Sequence, residues 1–177
     1  MKNFTLLLSI ALLSACSSDD KAASAQDGSI VIENDFESLV GWNTDPAALF
    51  RGKAHSGRYA LKVDKDHEFS PTFDMALNYV SPKRVKSIHL EAWAMLPGEK
   101  STGVLGIQVM EPETGKEIYG GGIRLAESVK KGNQWQKVEA DYELPATITP
   151  TQHLRLALWR ADASDQVMVD DVKMTIK

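Results

Sequence analysis

The chain has 177 residues, of which 43% are hydrophobic and 25% charged, a composition typical of a globular protein rather than a disordered, collagen-like or coiled-coil chain. Lysine and arginine number 20 against 24 aspartate and glutamate residues, so the net charge is −4, without the basic block typical of nucleic-acid binders. The single cysteine excludes a disulfide scaffold and a cysteine-based metal site.

The N-terminal segment has the pattern of an export signal. Lys2 precedes an apolar run from Phe4 to Leu13, which is too short to span a bilayer and matches the apolar region of a signal peptide. The run ends in Leu13-Ser14-Ala15-Cys16, which resembles the lipobox of bacterial lipoproteins. That resemblance implies cleavage before Cys16 and acylation of its thiol. An ordinary signal peptide with an incidental cysteine is the alternative.

The residues after Cys16 predict the destination. Ser17 is not an inner-membrane retention signal, so the lipobox resemblance implies export to the outer membrane. Cys16-Ser17-Ser18-Asp19-Asp20 also resembles the acidic surface-export signal of Bacteroidota lipoproteins, which implies exposure at the cell surface. We therefore expect a signal peptide over residues 1–15, a lipidated cysteine and flexible tether over 16–29, and one folded domain over 30–177.

From Ile30 onward, apolar residues alternate with polar ones, which indicates strands. In the segment Lys86–Leu96, alternate residues from Ile88 to Leu96 are apolar, and Gln152–Arg160 has the same pattern. Roughly nine strands are predicted: Ile30–Ile32, Tyr59–Val63, Phe73–Val80, Lys86–Leu96, Val104–Met110, Ile118–Arg124, Trp135–Glu143, Gln152–Arg160 and Val167–Ile176. Without a convincing amphipathic helix, this pattern predicts an all-β fold, a two-sheet antiparallel β-sandwich, with a closed barrel as the alternative.

The order of motifs resembles a known family of sugar-binding modules. The motifs are Asn34-Asp35-Phe36-Glu37 with Gly41-Trp42, then Ala54–Val63, the strand Ile88–Leu96, Asn133–Val138 and finally Val167–Val172. Together they resemble carbohydrate-binding modules of the family 4/9/22 type, which are galactose-binding-domain-like jelly rolls. The resemblance covers nearly all of residues 30–177 and implies a jelly roll that binds glycan without catalysis.

The same resemblance implies a structural calcium ion. Its matching ligands are Glu37 and Asp170, with backbone oxygens from the Ala54–Gly57 loop, which includes Ser56. The alternation pattern supports a special role for Asp170, because it falls in phase with apolar residues such as Val172, and an inward carboxylate is costly unless paired or metal-bound. The alternatives are that Asp170 caps backbone amides or pairs with a lysine or arginine.

Two tryptophans are candidate sugar contacts. Trp93 and Trp159 each lie on the polar side of an alternating strand, where an amphipathic ring can stack on a sugar face. If the two strands lie in one sheet, that face also carries the polar side chains of a glycan groove: His89, Glu91, Arg155 and Gln108. The alternatives are a loop that covers one of the rings, and an ion pair between Arg155 and Glu91.

Other aromatic residues and the glycine cluster have structural interpretations. We expect Trp42 and Trp135 to be framework residues and Tyr59 and Tyr79 to lie in the core. The run Gly120-Gly121-Gly122 is not a phosphate-binding loop, because no Lys-Ser/Thr follows it.

Catalytic patterns are weak. Glu33, Asp35 and Glu37 alternate as in some β-glucanases, but the longer Glu-x-Asp-x-x-Glu motif is missing, and no Gly-x-Ser-x-Gly elbow occurs. The four histidines lack metal-ligand spacing.

The sequence therefore predicts a non-catalytic, lipid-anchored lipoprotein that binds a polysaccharide or oligosaccharide. The membrane contact is expected through the lipid anchor only, and the partners are glycan-degrading or glycan-import proteins. The alternative is a structural or protein-interaction lipoprotein whose sandwich has no sugar site.

Overall fold

The structure is a computed structural model that describes residues 28–43 and 46–177. In these residues the chain forms eleven strands: β1 (Ser29–Asn34), β2 (Trp42–Asn43), β3 (Leu49–Arg51), β4 (Tyr59–Val63), β5 (Thr72–Ala76), β6 (Ser87–Met95), β7 (Val104–Met110), β8 (Glu117–Arg124), β9 (Gln136–Glu143), β10 (His153–Trp159) and β11 (Val167–Ile176). Three short helical segments join them: a 3₁₀ turn (Pro46–Ala48), α1 (Leu77–Val80) and α2 (Leu125–Ser128). No helix of this part of the chain is long and apolar enough to cross a membrane.

The strands form two antiparallel sheets. The first sheet has the order β3-β4-β11-β6-β9, with β1 also paired to β11, and the second sheet has the order β2-β5-β10-β7-β8. Alternate residues of β6 are buried, as are those of β10, so each strand turns one apolar face inward. The two inner faces meet in a single core. The predicted all-β sandwich is therefore confirmed, and the closed barrel is not formed.

All nine predicted strands are present, but the segment Phe73–Val80 is only partly a strand. The chain leaves β5 at Ala76 and turns into α1, where the backbone N–H of Leu77 donates to Gln152 O (2.9 Å). This turn ends the alternation, so Leu77 is buried while Tyr79 is 82% exposed. The prediction that Tyr79 lies in the core is wrong for this reason. The short strands β2 and β3 were not predicted.

A bulge in β11 changes the face on which Asp170 lies. Asp171 has a positive φ of 46°, and the pairing of β11 with β6 shifts between Asp170 and Lys173. Before the bulge, Asp170 pairs with Trp93, and directly paired residues point to the same face of a sheet. Asp170 therefore lies on the outer face of the first sheet, not on the inner face that its alternation with Val172 predicts.

Candidate functional site

The structure separates the six residues predicted to form one sugar groove. Trp93 lies on β6 in the first sheet, and Trp159 lies on β10 in the second sheet. The two rings are therefore on opposite outer faces of the sandwich. The structure keeps His89 and Glu91 with Trp93, and it keeps Gln108 and Arg155 with Trp159. The single groove was predicted on the condition that both strands share a sheet, and that condition is not met.

A groove of about 800 Å³ crosses the outer face of the second sheet. Its residues form rows across β10, β7 and β8, because paired residues of neighbouring strands share a face. One outer row contains Trp159, Val104 and Arg124, and the opposite row contains Arg155, Gln108 and Gly120. The row between them consists of Ala157, Gly106 and Gly122. The groove therefore has an aromatic wall, a polar wall and a floor with almost no side chains.

The floor depends on its two glycines in different ways. A Cβ atom at Gly122 would lie 2.8 Å from the carbonyl oxygen of Leu105, so the close approach of the two strands requires glycine there. A Cβ atom at Gly106 would lie 3.7 Å from its nearest neighbour, the carbonyl oxygen of Ala157, which is an ordinary contact. Gly106 thus leaves open space that a larger side chain would fill.

The aromatic wall consists of Trp159 and Phe69. Trp159 is 42% exposed and Phe69 is 54% exposed, and their rings are stacked with centroids 6.4 Å apart and planes at 13°. The loop before β5 is attached to the end of β10 at two points. Ser70 N–H donates to Leu158 O (3.0 Å), and Arg160 N–H donates to Glu68 O (2.8 Å). These bonds hold the two rings side by side at the surface.

The polar wall is positioned by carboxylates that the sequence analysis did not identify. Arg155 Nε donates to Asp74 Oδ2 (2.7 Å), and Asp74 Oδ1 contacts His153 Nδ1 (2.6 Å). Gln108 Nε2 donates to Glu117 Oε2 (2.5 Å). Because Asp74 engages Arg155 through Nε, it restrains the guanidinium group, which lines the groove and keeps further N–H donors on its two terminal nitrogens. Arg155 therefore pairs with Asp74, and the alternative pairing with Glu91 is wrong.

The outer face of the first sheet is partly covered by a loop and by contacts among its own residues. The His55 ring stacks on Trp93 with centroids 3.8 Å apart and planes at 12°. The loop that carries His55 thus covers Trp93, as the alternative interpretation of one tryptophan predicted. His89 Nδ1 contacts Asp141 Oδ1 (2.9 Å) in the same face. Trp93 is therefore half-buried and less exposed than Trp159, although it still lines a smaller pocket of about 500 Å³ on this face.

Ion pairs also occupy the possible metal ligands of this face. His89, Glu91 and Glu139 bring donor atoms within 4.8 Å of one another. The Lys137 ammonium lies 2.8 Å from Glu91 and 3.3 Å from Glu139, where it already supplies a positive charge. The hydrogen bond from Lys137 lowers the pKa of Glu91, and the same bond raises the pKa of Lys137.

The carboxylates predicted to bind calcium contact one loop through its amide hydrogens. Asp170 is fully buried, and its Oδ2 accepts hydrogen bonds from the backbone N–H groups of His55 (2.8 Å) and Ser56 (3.0 Å). Glu37 Oε1 likewise accepts from the backbone N–H groups of Arg58 (2.5 Å) and Tyr59 (2.9 Å). The loop bonds lower the pKa of Glu37, with the Arg58 amide as the largest cause. Burial raises the pKa of Asp170 to about 6 despite its amide partners.

This arrangement does not fit a calcium site. Calcium takes six to eight oxygen ligands, whereas the loop groups that face Asp170 are N–H donors. Ser56 Oγ donates to Asp171 Oδ1 (2.6 Å), and His55 Nδ1 contacts Asp171 Oδ2. The structure therefore shows the capping of backbone amides that the sequence analysis kept as an alternative. Calcium binding stays an untested prediction of the sequence, and this set of hydrogen-bond donors does not support it.

The sequence offered little signal for several groove residues. Phe69 lies outside every predicted strand, and only its pairing with Trp159 places it in the groove. Asp74 alternates with apolar residues in β5, but the sequence does not show which strand lies beside β5. Its pairing with Arg155 depends on the register between β5 and β10. The predicted signal peptide, the lipobox with Cys16 and the tether residues up to 27 lie outside the described residues.

Comparisons with known proteins give similar structures but no similar sequences. No protein-family model matches the chain, and no curated protein matches it. The structure is similar to the CBM22-1 xylan-binding domain of Paenibacillus barcinonensis Xyn10C, with a TM-score of 0.56 and 16% identity over 84% of this chain and 95% of that one. It is also similar to the CBM22-2 xylan-binding domain of the same protein, with a TM-score of 0.55 and 20% identity over 83% of this chain and 99% of that one.

A third similar structure is the C-terminal family 22 carbohydrate-binding module of Clostridium thermocellum Xyn10B. The TM-score is 0.58 and the identity 16%, over 83% of this chain and 92% of that one. The TM-scores establish the fold, whereas identities this low do not identify the ligand, which has to be argued from the site. This chain has the β-sandwich jelly-roll fold of carbohydrate-binding modules of family 22.

Proposed function

We propose that the protein binds a polysaccharide in the groove of the second sheet, without catalysing its cleavage. The observation that carries this proposal is the arrangement of an exposed aromatic pair, Trp159 and Phe69, opposite the hydrogen-bonding wall of Arg155 and Gln108. A sugar ring presents C–H groups on its faces and hydroxyls at its edge. The aromatic wall can stack on the C–H face of the sugar, and the polar wall across the floor can form hydrogen bonds with its hydroxyls.

The groove is open at the surface and crosses several strands, which suits an extended chain rather than a small free sugar. Xylan is the first candidate ligand, because the similar structures from Paenibacillus barcinonensis are described as xylan-binding domains. A shallow groove buries little ligand surface, so we expect weak binding by a single domain. Many copies on one surface compensate for this through avidity.

The location completes the proposal. Lipidation at Cys16 would hold the domain on the outer membrane and, with the Ser-Asp signal, at the cell surface. There it would keep glycan close to degrading enzymes or importers. The fold similarity to binding modules supports a role in binding rather than catalysis.

A glycan screen tests the proposal. Residues 16–177 with Cys16→Ser retain the whole sandwich and should bind at least one polysaccharide from a panel that includes xylan. Phe69→Ala removes an exposed apolar ring from the groove and should weaken that binding about tenfold. Val40→Ala, which removes an apolar side chain that is 87% exposed outside the groove, is the matched control and should change nothing.

Two outcomes contradict the proposal. If the folded protein binds no polysaccharide of the panel, the protein-interaction alternative becomes the better interpretation. If it binds one and Phe69→Ala has no more effect than Val40→Ala, the groove is not the binding site.

A further inference from the structure

One end of the sandwich is the end at which the chain enters the fold. Ser29 pairs with Ile176 at the start of β1, and Gly28 lies beside the carbonyl group of Ile176. The loops 77–86 and 144–152 are at the same end, because β5 and β9 finish there while β6 and β10 begin. We refer to this end, formed by Gly28, Lys177 and these two loops, as the Gly28 pole.

The Gly28 pole carries four exposed cations: Lys83, Arg84, Lys86 and Lys177. The ion pairs of the described residues all involve other cations, so these four charges have no carboxylate partner there. Backbone hydrogen bonds join the segments that carry two of them, Lys86 and Lys177. Lys86 N–H donates to Lys177 O (2.7 Å), and Leu144 N–H donates to Lys86 O (2.8 Å).

An apolar cleft lies beside these cations. It has a volume of about 200 Å³, and Lys83 and Arg84 line it together with Leu77, Val85 and Ile148. Tyr79, on α1 next to the cleft, is 82% exposed. Cationic side chains and an exposed tyrosine around an apolar cleft are the groups found at the boundary between a protein and a lipid bilayer.

The expected lipid anchor limits how far this pole can be from the membrane. Cys16 precedes Gly28 by 12 residues. Even fully extended, these residues span at most about 40 Å. The tether joins the domain at the Gly28 pole, so an anchored domain has this pole within about 40 Å of the membrane surface, and its unpaired cations suit anionic headgroups.

We infer that the Gly28 pole docks on the anionic phospholipid headgroups of the membrane that holds the anchor. This inference goes beyond the proposed glycan binding, rests on the proposed lipidation of Cys16, and adds a second contact to the lipid anchor, which the sequence analysis expected to be the only one. Carboxylates also lie at this end of the sandwich: Glu143 at the end of β9, and Glu111 and Glu113 in the β7–β8 turn, at the far edge of the second sheet from the loop 77–86. None of the ion pairs among the described residues joins them to the four cations. Docking would therefore tilt the domain onto the side that carries residues 83–86.

Docking also sets the direction of the groove. His153 lies at the Gly28 pole, and Trp159 is six residues further along β10, about 20 Å away at the usual strand rise. The aromatic wall would then lie at the end of the domain that faces away from the membrane, where a long glycan can reach it.

Vesicle co-sedimentation tests the inference without the covalent lipid. The protein is residues 16–177 with Cys16→Ser, and the vesicles are phosphatidylcholine alone or with one quarter phosphatidylglycerol. The test variant is Lys83→Gln/Arg84→Gln. The matched control is Lys130→Gln/Lys131→Gln, which removes two exposed neighbouring charges from the opposite end of the sandwich. Thermal unfolding verifies that both variants remain folded.

We expect binding to the vesicles that contain phosphatidylglycerol, and weaker binding when salt rises from about 50 mM to about 300 mM. The Lys83→Gln/Arg84→Gln variant should bind about 25-fold more weakly, since each cation near an anionic surface contributes about fivefold. The control variant should change binding less than about twofold. Equal binding to both vesicles, or equal effects of the two variants, would overturn the inference. Vesicle binding does not involve the groove, so a failure of this inference is distinct from a failure of glycan binding, which the polysaccharide screen measures.

Discussion

The exposed ring of Trp159 provides the sharpest test of where a glycan binds. Trp159→Ala removes a side chain that is 42% exposed. A tryptophan side chain has about 250 Å² of surface, so a sugar that stacks on it can cover at most ~100 Å². At ~25 cal/mol per Å², that contact is worth at most ~2.5 kcal/mol, or about 60-fold in affinity. Since a pyranose ring covers only part of the indole, we expect a loss between about 10-fold and about 60-fold.

The same substitution should have little effect on stability. The ring has one stacking partner, Phe69, and the distance from Trp159 Nε1 to Glu68 Oε1 is 3.4 Å, which is long for a hydrogen bond. The expected loss is about 1 kcal/mol, or a Tm lower by about 2–4 °C. Titration calorimetry with the polysaccharide identified in the screen measures the affinity, and thermal unfolding measures the stability.

Trp93→Ala is the matched control, and the structure predicts the opposite result for it. Trp93 is half-buried under His55 on the other sheet. Its removal should lower stability by about 2 kcal/mol and Tm by about 4–8 °C, while glycan affinity stays within about twofold. A folded Trp93→Ala protein that has lost its affinity, beside a Trp159→Ala protein that has kept it, would refute the assignment of the groove to the second sheet.

Three further predictions concern the groove floor, the pH dependence set by Asp170 and the effect of calcium. Gly106→Val should fill the floor and weaken glycan binding at least about tenfold with unchanged Tm. Gly122→Val should instead lower stability by about 1–3 kcal/mol, because its Cβ meets the Leu105 carbonyl oxygen at 2.8 Å. Calorimetry measures the affinity and thermal unfolding the stability, and a Gly106→Val protein with full affinity would place the ligand elsewhere. The pKa of Asp170 is raised by burial from 3.8 to about 6, so the folded state binds this proton more tightly than the unfolded state does. The protonated Asp170 therefore stabilises the fold fully below about pH 4, and this contribution of at most ~3 kcal/mol disappears as the pH rises through 6. In the Asp170→Asn variant, the free energy of unfolding measured in urea should depend less on pH over that range. Calcium and chelator should give the same Tm at pH 7, because N–H donors already occupy Asp170; a Tm several degrees higher with calcium would instead support the predicted ion.

The fold could be predicted from sequence because the signal is local to each strand. The alternation of apolar and polar residues in β6 and β10 predicts which residues are buried, and the structure agrees at nearly every position of both strands. The failures occur where the chain leaves that regular pattern. The α1 turn exposes Tyr79, and the bulge at Asp171 moves Asp170 to the outer face. Neither change has a local sequence signal comparable to alternation.

The candidate site was harder to predict because it depends on which strands are neighbours. Periodicity correctly placed both Trp93 and Trp159 on outer faces, but it carries no information about the sheet to which a strand belongs. Sheet membership is decided by long-range pairing, here of β6 with β9 and β11 and of β10 with β5 and β7. The covering of Trp93 by His55 depends on a loop whose path is fixed by Glu37 and Asp170, residues distant in sequence.

The glycines of β7 and β8 were the signal that could have identified the groove. The run from Gly120 to Gly122 is part of the strand β8 and not a phosphate-binding loop. In a strand, however, glycine weakens the sheet and is retained where another backbone or a ligand approaches closely. Gly122 packs against β7, and Gly106 opposite it leaves the floor open. Paired glycines on one outer face, beside an exposed tryptophan, therefore indicate a groove in such a sheet more directly than the number of tryptophans does.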